Sequence, residues 1–163
     1  MALGSNLGDR YFFCKRALWA LKSYPGITLK RWSNIYLTPP VGFSSAHEFF
    51  NLVAEIETSL SPWALLFVLW QIELSLGRIR KGFVADRNID LDILTYGDEV
   101  IDDGVLKIPH PGLAKRAFVL MPLNELQPYQ KHPMLKRTYR ALLKSCPEAE
   151  KKAIKRLGPL CLD

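Results

Sequence analysis

Phe50, Leu52, Ala54 and Ile56 alternate with Asn51, Val53, Glu55 and Glu57, so Phe49 to Glu57 reads as a strand with one face on a core. The same period recurs in Asp86 to Leu94. There Ile89, Leu91 and Ile93 point to one face and Asp90 and Asp92 to the other. Thr28 to Leu37 reads as one further strand whose alternation falters around Trp32-Ser33. Met1-Ala2-Leu3 is too short to be a good strand by itself. Helical spacing takes over elsewhere. Tyr11, Cys14, Leu18 and Leu21, with Ala17 beside them, share one face of a helix over Arg10 to Ser23, and Asp9 supplies its N-cap. Ser61-Pro62 opens a second helix, and the nearly continuous apolar run to Leu76, closed by Gly77, predicts deep burial. Glu99 to Ile101 and Leu106 to Ile108 pair as a hairpin around Asp102-Asp103-Gly104. A short helix carrying Lys115 and Arg116 is expected after Pro109-His110-Pro111-Gly112. Phe118 to Leu126 is apolar but interrupted by Pro122, and Met134 to Lys144 and Glu148 to Leu157 read as basic surface helices.

The resulting order is strand, helix, strand, strand, helix, strand, then a hairpin and helices. It predicts an α+β fold: a ferredoxin-like antiparallel sheet with helices packed on it, plus a small hairpin and C-terminal helices. A mixed sheet with one parallel pair is the alternative. The 163 residues suit a single domain over 1–163, and 48% hydrophobic content can build its core. The apolar run Trp63 to Trp70 is too short to span a membrane, and no basic segment leads into an apolar one at the N-terminus. Three distant cysteines, Cys14, Cys146 and Cys161, fit a reduced cytoplasmic protein. The net charge of +6 favours an anionic partner, nucleic acid or nucleotide.

Candidate chemistry centres on Asp90 and Asp92. Two carboxylates that close resist joint ionisation unless a cation sits between them, and Mg²⁺ takes oxygen ligands. Arg78, Arg80, Lys81 and Arg87 precede the pair and His110, Lys115 and Arg116 follow it, which suggests a polyphosphate. Acids on the wet face of an antiparallel strand are also ordinary, and Arg78 and Arg80 alone read as a solvated loop. Phe118 alone reads as core, and Asn51 as a solvated strand residue.

Several segments in order change that balance. Gly4-Ser5-Asn6-Leu7-Gly8-Asp9, Thr38-Pro39-Pro40-Val41-Gly42, Phe49-Phe50-Asn51, Gly77-Arg78-Ile79-Arg80, Arg87-Asn88-Ile89-Asp90-Leu91-Asp92-Ile93, Ile108-Pro109-His110-Pro111 and Arg116 to Leu123 together resemble the 6-hydroxymethyl-7,8-dihydropterin pyrophosphokinase family of folate synthesis, from Ala2 to about Pro128. The resemblance implies transfer of pyrophosphate from ATP to the pterin's hydroxymethyl oxygen, with release of AMP. It implies two Mg²⁺ ions on Asp90 and Asp92, and phosphate contacts from Arg78, Arg80, Arg87, His110 and Arg116. Glu73 and Ile93 match nucleotide-binding positions. Phe49 and Phe118 would stack on the pterin, Asn51 would bond its edge, and Thr38, Pro39 and Val41 would supply rigid backbone beside it. Association or fusion with other folate enzymes, such as dihydropteroate synthase, is a further implication, with neither nucleic acid nor membrane as partner.

The chain departs from the family pattern in places. It begins almost at Gly4, so the first strand reads as truncated. Lys81 to Arg87 is about one residue short, puts Asp86 beside Arg87, and offers Phe83 as the loop aromatic. Trp70 and Phe49 stand where polar or hydroxyl-bearing side chains are frequent. A basic ferredoxin-like RNA-binding module is the rival reading. It would show aromatics on the central strands in a Gly-aromatic pattern, which is missing here.

Overall fold

The shortest predicted segment lies at the centre of the sheet. In a computed structural model describing residues 1–163, β1 (Ala2–Ser5) pairs antiparallel with β4 (Phe49–Thr58) on one side and β5 (Asp90–Asp92) on the other. Length therefore misjudged it. Leu3 is fully buried, and pairing along both edges stabilises a strand that has little propensity of its own.

The helix α1 (Arg10–Ser23) matches its predicted bounds, and the Asp9 carboxylate accepts from the Phe12 N–H. The expected strand over 28–37 is two strands, β2 (Ile27–Trp32) and β3 (Ile35–Thr38). Ser33 makes the break. Its N–H donates to the Val53 carbonyl and its Oγ accepts from the Val53 N–H, so a side chain replaces a ladder partner and the chain bends. The helix α2 (Pro62–Ser75) starts under a Ser61 cap, and Gly77 beyond it adopts φ +86°. The hairpin is β6 (Ile101–Asp102) with β7 (Lys107–Ile108).

Downstream, three expectations are corrected. The helix α3 (Ala117–Leu126) begins after Lys115 and Arg116 and contains Pro122. The helix expected over 134–144 is only α4 (Tyr139–Lys144), because Lys136 takes a positive φ and the preceding loop closes through a Lys131–Thr138 bridge. The helix expected over 148–157 stops as α5 (Glu148–Lys152), and β8 (Lys155–Gly158) pairs with β3. An open sheet edge outcompetes a basic segment's weak helical preference.

The sheet order β5-β1-β4-β3-β8, with β2 also on β4, is antiparallel throughout. It is the ferredoxin-like arrangement with an added edge strand, not the mixed sheet. Leu3, Leu52, Leu91 and Ile93 face α1 and α2 in the main core. The other face carries Val53, covered by α3 and α4 in a second core with Leu120 and Leu142. By strand alternation Gly4, Asn51, Asp90 and Asp92 share this second face, at the end α3 leaves open.

Candidate active site

Pairing places Asp90 opposite Gly4 and Asp92 opposite Ala2, while Asn51 lies opposite Gly4 from β4. Only small residues separate the acids from Asn51. A Cβ on Gly4 would stand 2.8 Å from Asn51 Oδ1, so glycine is needed there for the approach of the two strands. These strands floor a cavity of about 70 Å³. Thr38, Pro39, Val41, Phe49, Asn51 and Phe118 line it together with Arg87, Asp90, Asp92, His110 and Arg116. Every residue expected at the pterin and both expected metal ligands thus reach one place.

The acid pair is held asymmetrically. Asp90 Oδ1 accepts from Arg78 Nη1 at 2.6 Å and Oδ2 from Arg87 Nη2 at 3.2 Å. Asp92 feels both arginines only at longer range; burial first, then the Asp90 and Glu73 carboxylates, push it up to about 7. Among His, Cys, Asp and Glu no group of three or more is arranged to hold a metal ion. Two carboxylates fit Mg²⁺, which keeps waters and takes substrate phosphate oxygens rather than a full protein cage. The raised Asp92 is what burial beside two other carboxylates produces.

Glu73 is 2% exposed and lies under the arginines. Its Oε1 accepts from Arg78 Nη1 (2.8 Å) and the Leu91 N–H (2.8 Å), and its Oε2 from Arg80 Nη2 (2.6 Å). Burial raises its pKa, and the Leu91 N–H and the arginines act against that. Both oxygens thus serve the arginines and strand β5, which places Glu73 beneath the expected nucleotide region. The Ile93 side chain is buried in the main core.

Residues 77–87 form an open loop between α2 and β5, and Phe83 is 72% exposed. The Arg87 guanidinium stands 4.9 Å from the Phe49 ring centroid and 5.7 Å from that of Phe43. Asn6, which is buried, anchors the end of this loop. Its Nδ2 donates to Asp86 Oδ1 (2.8 Å) and its Oδ1 accepts from the Arg87 N–H (2.8 Å). Asp86, the unexpected acid, thus bonds Asn6 and leaves Arg87 to Asp90.

His110 lies opposite the loop. Its Nδ1 accepts from the Gly112 N–H at 3.0 Å, which leaves the proton on Nε2. Burial, then Arg116, lowers its pKa, so it is a neutral donor at pH 7. Arg116 precedes α3 with its guanidinium 5.8 Å from the Phe118 centroid. A Cβ on Gly112 would meet Arg116 Nε at 2.6 Å, so that glycine makes room for the cation. Asn51 Nδ2 donates to Thr38 Oγ1 at 2.7 Å, which orients the amide from below.

Sequence reading missed Phe43, Asn6 and Gly4 as site residues. Phe43 contacts Phe49 edge-on at 6.1 Å, and its place after Gly42 in a loop gave no periodic signal. Asn6 and Gly4 lay inside a quoted motif, but only the fold shows what they hold.

The family model for 7,8-dihydro-6-hydroxymethylpterin-pyrophosphokinase (HPPK) matches residues 1–128. The 2-amino-4-hydroxy-6-hydroxymethyldihydropteridine pyrophosphokinase of Bacillus subtilis is 43% identical over 126 residues, covering 77% of this chain and 75% of its own. Its namesake in Aquifex aeolicus is 37% identical over 137 residues, 84% of each chain. Among solved structures, Plasmodium falciparum HPPK-DHPS with pterin and p-hydroxybenzoate superposes with a TM-score of 0.74 over 95% of this chain, at 19% identity. This chain spans 44% of that longer one, and the likeness bears on the fold. On the family model and the two bacterial relatives, the chain belongs to the 7,8-dihydro-6-hydroxymethylpterin-pyrophosphokinase family.

Proposed function

We propose that this chain transfers the pyrophosphoryl group of ATP to the hydroxymethyl oxygen of 6-hydroxymethyl-7,8-dihydropterin, giving the pterin diphosphate and AMP. One observation carries the reading: an acid pair, Arg87, Arg116 and three phenylalanine rings line a single pocket at the open end of a sheet, with Arg78 bound to Asp90 beside it. The pterin hydroxyl oxygen forms a bond to the β-phosphorus, the bond from that phosphorus to the α–β bridging oxygen breaks so that this oxygen leaves on AMP, and the hydroxyl proton passes to solvent water. Such transfers rest on positioning and charge neutralisation.

Asn51 and the backbone of Thr38, Pro39 and Val41 read the polar edge of the pterin, and Phe49 and Phe118 take its faces. Arg87 now stands over Phe49, so substrate entry moves it toward the phosphates. Arg78, Arg80 and Arg87 clamp phosphate oxygens, and His110 and Arg116 contact them from the opposite wall. Glu73 aims Arg78 and Arg80 from beneath, and Ile93 contributes backbone only. Asp90 and Asp92 would hold Mg²⁺, taken as two ions, which would supply neutralisation of the phosphate charge.

No helix is long and apolar enough to cross a membrane. Three free thiols, two of them buried, fit a reducing cytoplasmic setting. We also take residues 1–163 as one catalytic unit, able to work beside or fused to dihydropteroate synthase. The RNA-binding rival needs an open sheet face for base stacking, and α3 and α4 cover that face.

An AMP-release assay with ATP and Mg²⁺, with and without 6-hydroxymethyl-7,8-dihydropterin, tests the reading. AMP should form only with the pterin present. ADP as the product, or AMP formation indifferent to the pterin, would overturn it.

A further inference from the structure

The outer face of α2 carries no charged residue. The helix runs for 14 residues, and its one charged side chain, Glu73, is buried under the arginines. Toward solvent it shows Trp63, Phe67, Trp70 and Leu74, which are 50%, 58%, 42% and 73% exposed. Gln71 and Ser75 are the only exposed polar side chains among them. The neighbouring helix α1 differs, since Arg16, Lys22 and Ser23 are exposed beside Phe12 and Trp19. A helix that is apolar all round is ordinarily buried on every side, and a contiguous apolar patch marks a place of contact.

The spacing of the patch says what fits it. Its members are separated by four, three and four residues. That is the a/d seam of a heptad, along which two helices interlock nearly in line. The steps also read the same in both directions. Two copies of α2 laid antiparallel about a two-fold axis therefore set Phe67 against Trp70 of the other copy, and Trp63 against its Leu74. One patch serves both sides, as an isologous contact requires.

The charges at the two ends favour the same arrangement. The Trp63 indole N–H donates to Asp103 Oδ2 at 2.6 Å, so the exposed acids Asp102 and Asp103 stand at the N-terminal end of α2. At the other end the Arg80 guanidinium lies 5.8 Å from the Trp70 ring centroid, and Lys81 is exposed beyond it. Antiparallel copies bring the acidic end of each to the basic end of the other and oppose their helix dipoles. Parallel copies would set acid on acid and base on base.

We propose that α2 is a homodimer interface, on which a second copy of this chain packs its own α2 antiparallel through Trp63, Phe67, Trp70 and Leu74. A large aromatic side chain offers roughly 150–250 Å², so the half-exposed stripe and its charged ends supply on the order of 500 Å² per copy. A standard interface takes about 800 Å² per partner, which makes this a weak pair, formed at micromolar concentrations. Arg80 belongs to the loop of residues 77–87, so pairing sets that loop at the edge of the interface.

Sedimentation equilibrium over roughly 2–200 μM brackets a contact of this size. The apparent mass should climb from 18.6 kDa toward twice that value. Phe67→Glu and Leu74→Lys, both on the exposed face, should each stay monomeric and keep the wild-type thermal melt. Crosslinking reads the register. In a Cys161→Ser background the remaining thiols, Cys14 and Cys146, are buried. Trp63→Cys and Leu74→Cys proteins made in it, mixed and mildly oxidised, should crosslink to each other about tenfold faster than either does to itself, because only facing residues come within disulfide reach. A monomer across the whole range, a dimer that survives both substitutions, or equal self-crosslinking overturns the proposal. Binding of the wild-type monomer to phosphatidylcholine–phosphatidylserine vesicles, abolished by Phe67→Glu, would assign the stripe to a membrane surface and so also overturns it.

Discussion

Asp92 is a carboxyl whose folded pKa, about 7, lies above its ordinary value of 3.8. The folded state therefore binds its proton more tightly than the unfolded state. This group's stabilising contribution is full below the unfolded pKa and is lost as pH rises through about 7. Without cation, wild type should lose stability relative to Asp92→Asn between about pH 4 and pH 7, as read by thermal melts of both proteins. Parallel melting curves across that range would refute the assignment. Mg²⁺ with a non-hydrolysable ATP analogue competes with the same proton, so its apparent affinity should fall below pH 7 in wild type. At the pocket's far wall, Asn51→Ala and Phe118→Ala should weaken pterin binding and spare nucleotide binding. Loss of the Asn51 amide leaves ligand groups unpaired at on the order of 1–3 kcal/mol, which is roughly tenfold or more in Kd. Titration calorimetry with the ATP analogue and then the pterin reads both sites. Phe118 also packs against the second core, so a thermal melt must first show that its variant is folded.

The loop of residues 77–87 behaves as an element with two anchors. Glu73 holds Arg78 and Arg80 at its start and Asn6 holds Asp86 and Arg87 at its end, while the exposed middle has few contacts. Hydrogen exchange in 79–85 should slow when the ATP analogue and Mg²⁺ bind, because the arginines gain charge-assisted contacts with phosphate. Unchanged exchange would count against a closing role. Glu73→Gln keeps the shape but removes the buried negative charge between two guanidiniums. It should reduce nucleotide affinity and leave pterin affinity in the binary complex near wild type; calorimetry that shows the reverse would make Glu73 a pterin-side group.

The whole molecule is an α–β–α sandwich, and the two cores have different origins. The main core follows from alternation along β4 and β5 against α1 and α2, all of it readable as period 2 meeting period 3.6. The second core forms only when α3 returns across the sheet. Glu125 fastens it there: its carboxylate accepts from the Asn34 N–H (3.0 Å), from Asn34 Nδ2 (2.6 Å) and from the Tyr36 hydroxyl, and Arg156 of β8 lies 3.7 Å away. Glu125→Ala should therefore lower stability by on the order of 1–3 kcal/mol, since a half-buried hydroxyl and an N–H lose their acceptor. Denaturant melts check this, and a change under about 0.5 kcal/mol would class Glu125 with ordinary surface residues.

The α+β class, both main-core helices with their caps, the β4 alternation and the charged residues of the site were all legible in the chain. Each is a local property: a repeat period, a capping side chain, or a motif whose members lie close in sequence. The central position of β1, the break at Ser33 and the pairing of β8 were not, because each is set by partners distant in sequence. Glu73 shows the same divide within the site. The family resemblance marked it as part of the nucleotide region, but only the fold buries it and turns its oxygens toward Arg78, Arg80 and the Leu91 N–H. Sequence determines which groups are available. Tertiary structure decides which of them meet water, a ligand or each other, because burial and long-range pairing set the energy of a charge or a strand edge.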